Sequence, residues 1–143
     1  MHTLILGGDS FIGRHLAAYL EDTGHTAMRT SRRSDTSGVL HCDVTSEDSV
    51  RNALADSKPD VIFQLAGTSA YQDALTHYRV HSLAAANLLA ASAELQEQPA
   101  LLFAGSAAEY GEAPPEHLPL SESYPCKPTG AYGAAKYAQT LSV

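Results

Sequence analysis

The turn Gly7-Gly8-Asp9-Ser10-Phe11-Ile12-Gly13 constrains this chain more than any other stretch. It stands between an apolar run, Thr3-Leu4-Ile5-Leu6, and a segment with apolar residues at helical spacing, Phe11, Ile12, Leu16, Tyr19 and Leu20. A glycine-rich bend between a strand and a helix bares backbone N–H groups at the helix N-terminus, where the dipole favours an anion. Gly7 allows the tight turn, and Gly13 lets the helix pack close to the strand. The expected occupant is the pyrophosphate of a dinucleotide.

The rest of the chain repeats the alternation. Gly24 follows the first helix as a left-handed stop would. Thr26–Thr30 and Val39–Cys42 read as further strands. Thr45 or Ser46 caps a second helix carrying Val50, Ala53 and Leu54, which Pro59 ends. Asp60–Leu65 is the clearest strand and runs into Ala66-Gly67. An Ala/Leu-rich helix lies within Ala74–Gln96, closed off by Pro99. Ala100–Ala104 is a fifth strand, and Ala113–Thr129, with five of the seven prolines, is a loop. From Ala131 a last helix runs to the end of the chain. Continuous apolar strands alternating with helices predict an α/β fold, a doubly wound, Rossmann-like parallel sheet. Such sheets bind ligands at the carboxyl ends of their strands.

Composition excludes several classes. A net charge of −7 lacks the basic face that a nucleic-acid binder needs. No apolar run is long enough to cross a bilayer. The N-terminus opens on a strand without a signal-peptide pattern, so a cytoplasmic protein is expected. Cys42 and Cys126 are far apart and read as reduced thiols. His77 and His81 are four apart on one helix, but no third ligand accompanies them, so no metal is expected.

Gly-Gly-x-x-Phe-Ile-Gly resembles the opening of the extended short-chain dehydrogenase/reductase family, the NAD-dependent epimerases and dehydratases. The family pattern GxxGxxG falls on Gly7, Ser10 and Gly13. Serine replaces the middle glycine, and its hydroxyl is placed to meet a phosphate oxygen. The resemblance puts Phe11 and Ile12 at the cofactor. It likens Asp43-Val44 to an adenine-contacting pair and Leu65-Ala66-Gly67 to the loop beneath the cofactor. After the second strand the chain reads Ser31-Arg32-Arg33-Ser34, with Asp35 late for an NAD role. Guanidinium groups suit a phosphate, so Arg32 and Arg33 favour NADP over NAD.

Tyr132-Gly133-Ala134-Ala135-Lys136 is a YxxxK whose two side chains share one helix face. A nearby ammonium favours the phenolate. Ser106, after the fifth strand in Gly105-Ser106-Ala107-Ala108-Glu109-Tyr110-Gly111, resembles the family's Ser-x-x-x-Tyr-Gly segment. By that resemblance Tyr132 is the general acid/base. Lys136 tunes it and holds the nicotinamide ribose, Ser106 bonds the reacting oxygen, and a nucleotide-sugar is the substrate. A family dehydratase carries an acid one or two places after the serine. Those places are Ala107 and Ala108, and Glu109 comes one place late, so an epimerase or ketoreductase is expected. Ser31-Arg32 and Glu109-Tyr110-Gly111 also resemble GDP-4-keto-6-deoxymannose reductases. His81 stands where the family often has Asn.

Residues 1–143 are thus expected to be the NAD(P)-binding domain, incomplete beside family members that continue into a substrate-binding part. Weak dinucleotide binding and little turnover are expected from these residues alone. A homodimer through the domain's helices is the candidate assembly. The competing reading is a non-catalytic NAD(P)-binding module such as a redox sensor, which has no need of an acid/base pair.

Overall fold

Strand β1 (His2–Leu6) is covered on both faces, and Leu4, Ile5 and Leu6 are fully buried. The computed structural model describes residues 1–33, 38–68 and 72–143. After β1 come α1 (Phe11–Asp22), β2 (Thr26–Ser31), β3 (Leu40–His41), α2 (Glu47–Ser57) and β4 (Val61–Gln64). A long helical stretch follows, built from α3 (Ala74–His77), a π-helical segment (Tyr78–Leu83) and α4 (Ala84–Ala93). Strand β5 (Ala100–Phe103) and helix α5 (Ala131–Leu141) complete the order.

The strands form one parallel sheet in the order β3-β2-β1-β4-β5. Leu4 pairs in register with Met28 on one side and Ile62 on the other, and Ile62 with Leu101. Strand order therefore reverses at β1, which opens a crevice between the turns after β1 and β4. Alternation along the strands splits the core. Leu4, Leu6 and Ile62 pack with Val50 and Leu54 of α2 and Ala84 and Leu88 of α4. Ile5 faces the opposite way, against Ala17 and Leu20 of α1. This is the doubly wound parallel architecture that the periodicity predicts.

Local chemistry sets the boundaries. Ser10 caps α1 by accepting from Gly13 N at 3.1 Å, and Ser46 caps α2 from Ser49 N at 3.3 Å. Gly24, with φ +82°, closes α1 while His25 N bonds back to Leu20 O at 2.9 Å. Lys58 leaves α2 in a left-handed conformation directly before Pro59. Strand β3 is shorter than the Val39–Cys42 expectation, although Cys42 N extends its ladder to Ser31 O at 2.9 Å. Helix α5 ends at Leu141 with Ser142 as its cap, rather than running to the last residue. A further departure from the periodicity is the π segment, since Ala74–Gln96 reads as regular α-helix. Strand β5 forms the sheet edge, and Leu102 on it is exposed. Among the described residues no helix is long and apolar enough to cross a membrane.

Leu4→Ala removes a fully buried side chain at the middle of the sheet. It is expected to cost about 2–5 kcal/mol of unfolding free energy, read from urea unfolding followed by circular dichroism. Cys42 is buried, and that burial pushes its thiol up to about 11, with a hydrogen bond from Ser49 partly opposing it. At pH 8 it is therefore a protonated, inert thiol. A thiol reagent is expected to modify Cys126 quickly and Cys42 only after denaturant is added. Equal rates in the native protein would contradict this.

Candidate functional site

At the crevice, backbone meets backbone. Gly7 has φ +79°, and a Cβ there would stand 2.7 Å from both N and Cα of Ala66. A Cβ on Gly8 would stand 2.6 Å from Arg29 Cβ, and Gly8 N is tied to Thr30 O at 2.8 Å. Gly13 sits against the turn itself, since a Cβ there would meet Gly7 O at 2.6 Å and Gly8 Cα at 2.7 Å. Its glycine is thus required by the loop, and not by the strand as the spacing suggested. Ser10 spends a lone pair on Gly13 N, which leaves its O–H as the group able to meet a phosphate oxygen. Phe11 and Ile12 in the first turn of α1 are exposed. A turn bare of side chains, at the start of a helix, suits a diphosphate.

Beyond β2 the turn is knitted to the glycine loop. Ser31 Oγ donates to Asp9 Oδ2 at 2.8 Å, and Arg33 N donates to Ser31 Oγ at 3.0 Å. Arg33 Nε lies 3.9 Å from the same carboxylate oxygen, on a side chain 80 % exposed. Arg32 is exposed beside it. Asp9 does not stand out in the sequence, because only the fold brings it beside Ser31. Ser34 and Asp35 lie outside the described residues. Asp43 turns its carboxylate inward, accepting from Thr45 N at 2.9 Å and Thr45 Oγ1 at 2.8 Å. Val44 is buried, and its carbonyl accepts from Asn87 Nδ2 at 3.0 Å. Leu65 N extends the β1 ladder to Leu6 O at 3.0 Å, which sets Ala66 against Gly7.

Ser106 follows β5 and opens a short 3-10 turn, Ala107–Glu109. Its Oγ accepts from Ala108 N at 3.2 Å, while its own N–H donates to Glu109 Oε1 at 2.7 Å. This capping box is written in the Ser-x-x-Glu spacing. Glu109 is buried and takes a second bond from Thr140 Oγ1 at 2.8 Å, which locks the turn to α5. Gly133 completes that contact, because a Cβ there would run into the Ala108 carbonyl.

Tyr132 and Lys136 lie one turn apart on α5. Lys136 is buried, and its Nζ donates to Ala104 O at 2.7 Å and to Gln139 Oε1 at 3.4 Å. Desolvation pulls its pKa below the usual lysine value, and Glu109 partly opposes the shift. Among the described residues no hydrogen bond directly links Ser106, Tyr132 and Lys136. Tyr132 lines a cavity of about 400 Å³ with His77, Ala108, Gly111 and Glu112.

Two histidines stand edge-on to the Tyr132 ring, each with its centroid 5.4 Å away. His77 Nδ1 and His81 Nε2 both point at the Thr68 hydroxyl, at 2.9 and 3.0 Å. Burial, then Lys136 and His77, push His81 down to about 4, so it is uncharged at neutral pH. Thr68 has no role in the sequence reading, where the two histidines enter only as a metal pair without a third ligand; the fold brings both rings onto Thr68. The common focus of the two rings is a threonine hydroxyl. Among the described residues no group of three or more His, Cys, Asp or Glu gathers as a metal site.

The chain is similar to known proteins along its whole length. It is 28 % identical over 157 residues to the UDP-glucose 4-epimerase of Mycoplasma pneumoniae, covering 96 % of this chain and 46 % of the relative. The crystal structure of the Thermus thermophilus UDP-glucose 4-epimerase in complex with NAD superposes with a TM-score of 0.87 at 26 % identity. That match covers 99 % of this chain and 49 % of the other. RMD from Pseudomonas aeruginosa, complexed with NADPH, gives a TM-score of 0.80 at 26 % identity, covering 99 % and 47 %. The chain spans about half the length of the curated relatives it matches. The NAD dependent epimerase/dehydratase family model matches residues 3–143, and the chain belongs to that family.

Proposed function

We propose that these residues form the cofactor-binding part of an NAD(P)-dependent nucleotide-sugar epimerase or ketoreductase, with 4-epimerisation of a UDP-sugar the reading favoured. The observation that carries it is the placement of Tyr132. It lines a cavity at the carboxyl end of the sheet, the end that also carries the bare-backbone turn of Gly7, Gly8 and Gly13. The turn suits a dinucleotide because its glycines let the backbone fold tightly against Ala66, Arg29 and itself at the N-terminus of α1, where the helix dipole favours an anion.

A bound nicotinamide dinucleotide supplies the hydride acceptor and donor at the sugar carbon. Tyr132 takes the proton of the sugar hydroxyl as that carbon is oxidised and returns it on reduction. Lys136, fixed by Ala104 O and Gln139, stands one turn away, where it would hold the ribose of a bound dinucleotide. Ser106 has its lone pair engaged by Ala108 N, so its O–H is the group that donates to the reacting oxygen. Ala107 and Ala108 offer no acid for eliminating water, which speaks against a dehydratase. Arg32 and Arg33 favour NADP, and the Asp9 carboxylate bonded to Ser31 is the group that opposes a second phosphate there.

One observation supports a second reading, a cofactor-binding module without turnover. Lys136 donates to backbone and to Gln139, and is not bonded to Tyr132. Tyr132→Phe separates the two readings. In the enzyme it is expected to lower kcat about 10²–10⁴-fold with cofactor affinity retained. Unchanged activity would leave the module. Gly13→Ala forces the turn apart, and dinucleotide affinity is expected to fall at least about tenfold, read by fluorescence titration with NADPH and NADH. The same titrations of the native protein should show NADPH bound more tightly than NADH.

A further inference from the structure

The Thr68 hydroxyl is shared by two imidazole nitrogens, His77 Nδ1 at 2.9 Å and His81 Nε2 at 3.0 Å. A hydroxyl has one proton to give. It donates to one nitrogen and accepts from the other, so one of the facing nitrogens carries a proton and the other does not.

His81 sets the direction. Its ring is 1 % exposed, and Nδ1 has no partner among the described residues. The ring is uncharged at neutral pH and has a single N–H. With the proton on Nδ1, a buried N–H would be stranded. With it on Nε2, the proton is bonded to Thr68 and only a lone pair goes unmatched. Stranded buried donors are rarer than under-used acceptors, so Nε2 holds the proton. Thr68 then donates to His77 Nδ1, which as an acceptor carries no proton and leaves the ring N–H on Nε2. That atom makes no hydrogen bond with the described residues, and the ring lines the cavity beside Tyr132.

We propose that His81, Thr68 and His77 form a one-directional hydrogen-bond chain that presents the Nε2–H of His77 to the cleft as a binding donor for an acceptor oxygen of the sugar. The binding role rests on the cleft being the sugar site, whereas the chain itself rests on the contacts alone. Holding both rings also holds the edge-on packing against Tyr132, so the donor and the phenol are kept at a fixed relative position.

Long-range proton–nitrogen NMR on histidine-labelled protein reads the tautomer of each ring at neutral pH. Both His77 and His81 are expected to be protonated on Nε2, and Thr68→Val is expected to release His77 into a tautomer mixture. A proton on His81 Nδ1 overturns the chain. His77→Phe keeps an aromatic ring against Tyr132 but removes the donor. In the complete protein its KM for UDP-glucose is expected to rise about tenfold, more than kcat falls. An active variant with unchanged KM overturns the binding role. Expected tautomers together with no turnover of UDP-glucose by the complete protein, of which these residues are read as the cofactor-binding part, would remove the epimerase reading and the binding role with it, while the hydrogen-bond chain stands.

Discussion

The approach of the Gly7 backbone to the Ala66 backbone is the contact on which the rest of the site depends. It arises because β2 and β3 lie on one side of β1 and β4 and β5 on the other, so two turns meet at the reversal. Any side chain at Gly7 would push Ala66 away, and any at Gly13 would push the turn off α1. The close backbone packing at that point is therefore a product of sheet order and of three missing Cβ atoms together.

The opposite wall of the cleft depends on buried polar groups being matched. Glu109 is satisfied by Ser106 N and Thr140, and Lys136 by Ala104 O and Gln139. Unmatched, a charge at such depth would be costly. Matched, these groups clamp α5 onto the end of β5 and set Tyr132 over the cavity. The two histidines each meet one threonine hydroxyl through a single ring nitrogen. The cleft wall is thus held by hydrogen bonds, where the sheet behind it is held by apolar burial.

Much of this is legible in the residue order. The five strands, the glycine turn and a cap at Thr45 or Ser46, taken by Ser46, follow from period, backbone freedom and local hydrogen bonding, all of which act over a few residues. Ser-x-x-Glu at 106–109 also carries its own cap, although beside the family pattern Glu109 reads only as a displaced acid. The π segment has no such signal, since neither Pro nor Gly marks it. The spacing of His77 and His81 gives them no metal or other partner, and only the fold shows that both rings meet Thr68.

The sequence by itself determined the doubly wound class, the glycine turn between β1 and α1, and the spacing of Tyr132 and Lys136 one turn apart on a helix, because each is a short-range pattern. Tertiary structure alone decided that Asp9 faces Ser31 and Arg33, that Lys136 rests on the Ala104 carbonyl, and that two histidines brace the tyrosine. Those contacts join residues that stand more than a helix turn apart, most of them on different elements. Their partners are chosen by which strand ends the sheet order brings together, a property no local window of residues carries.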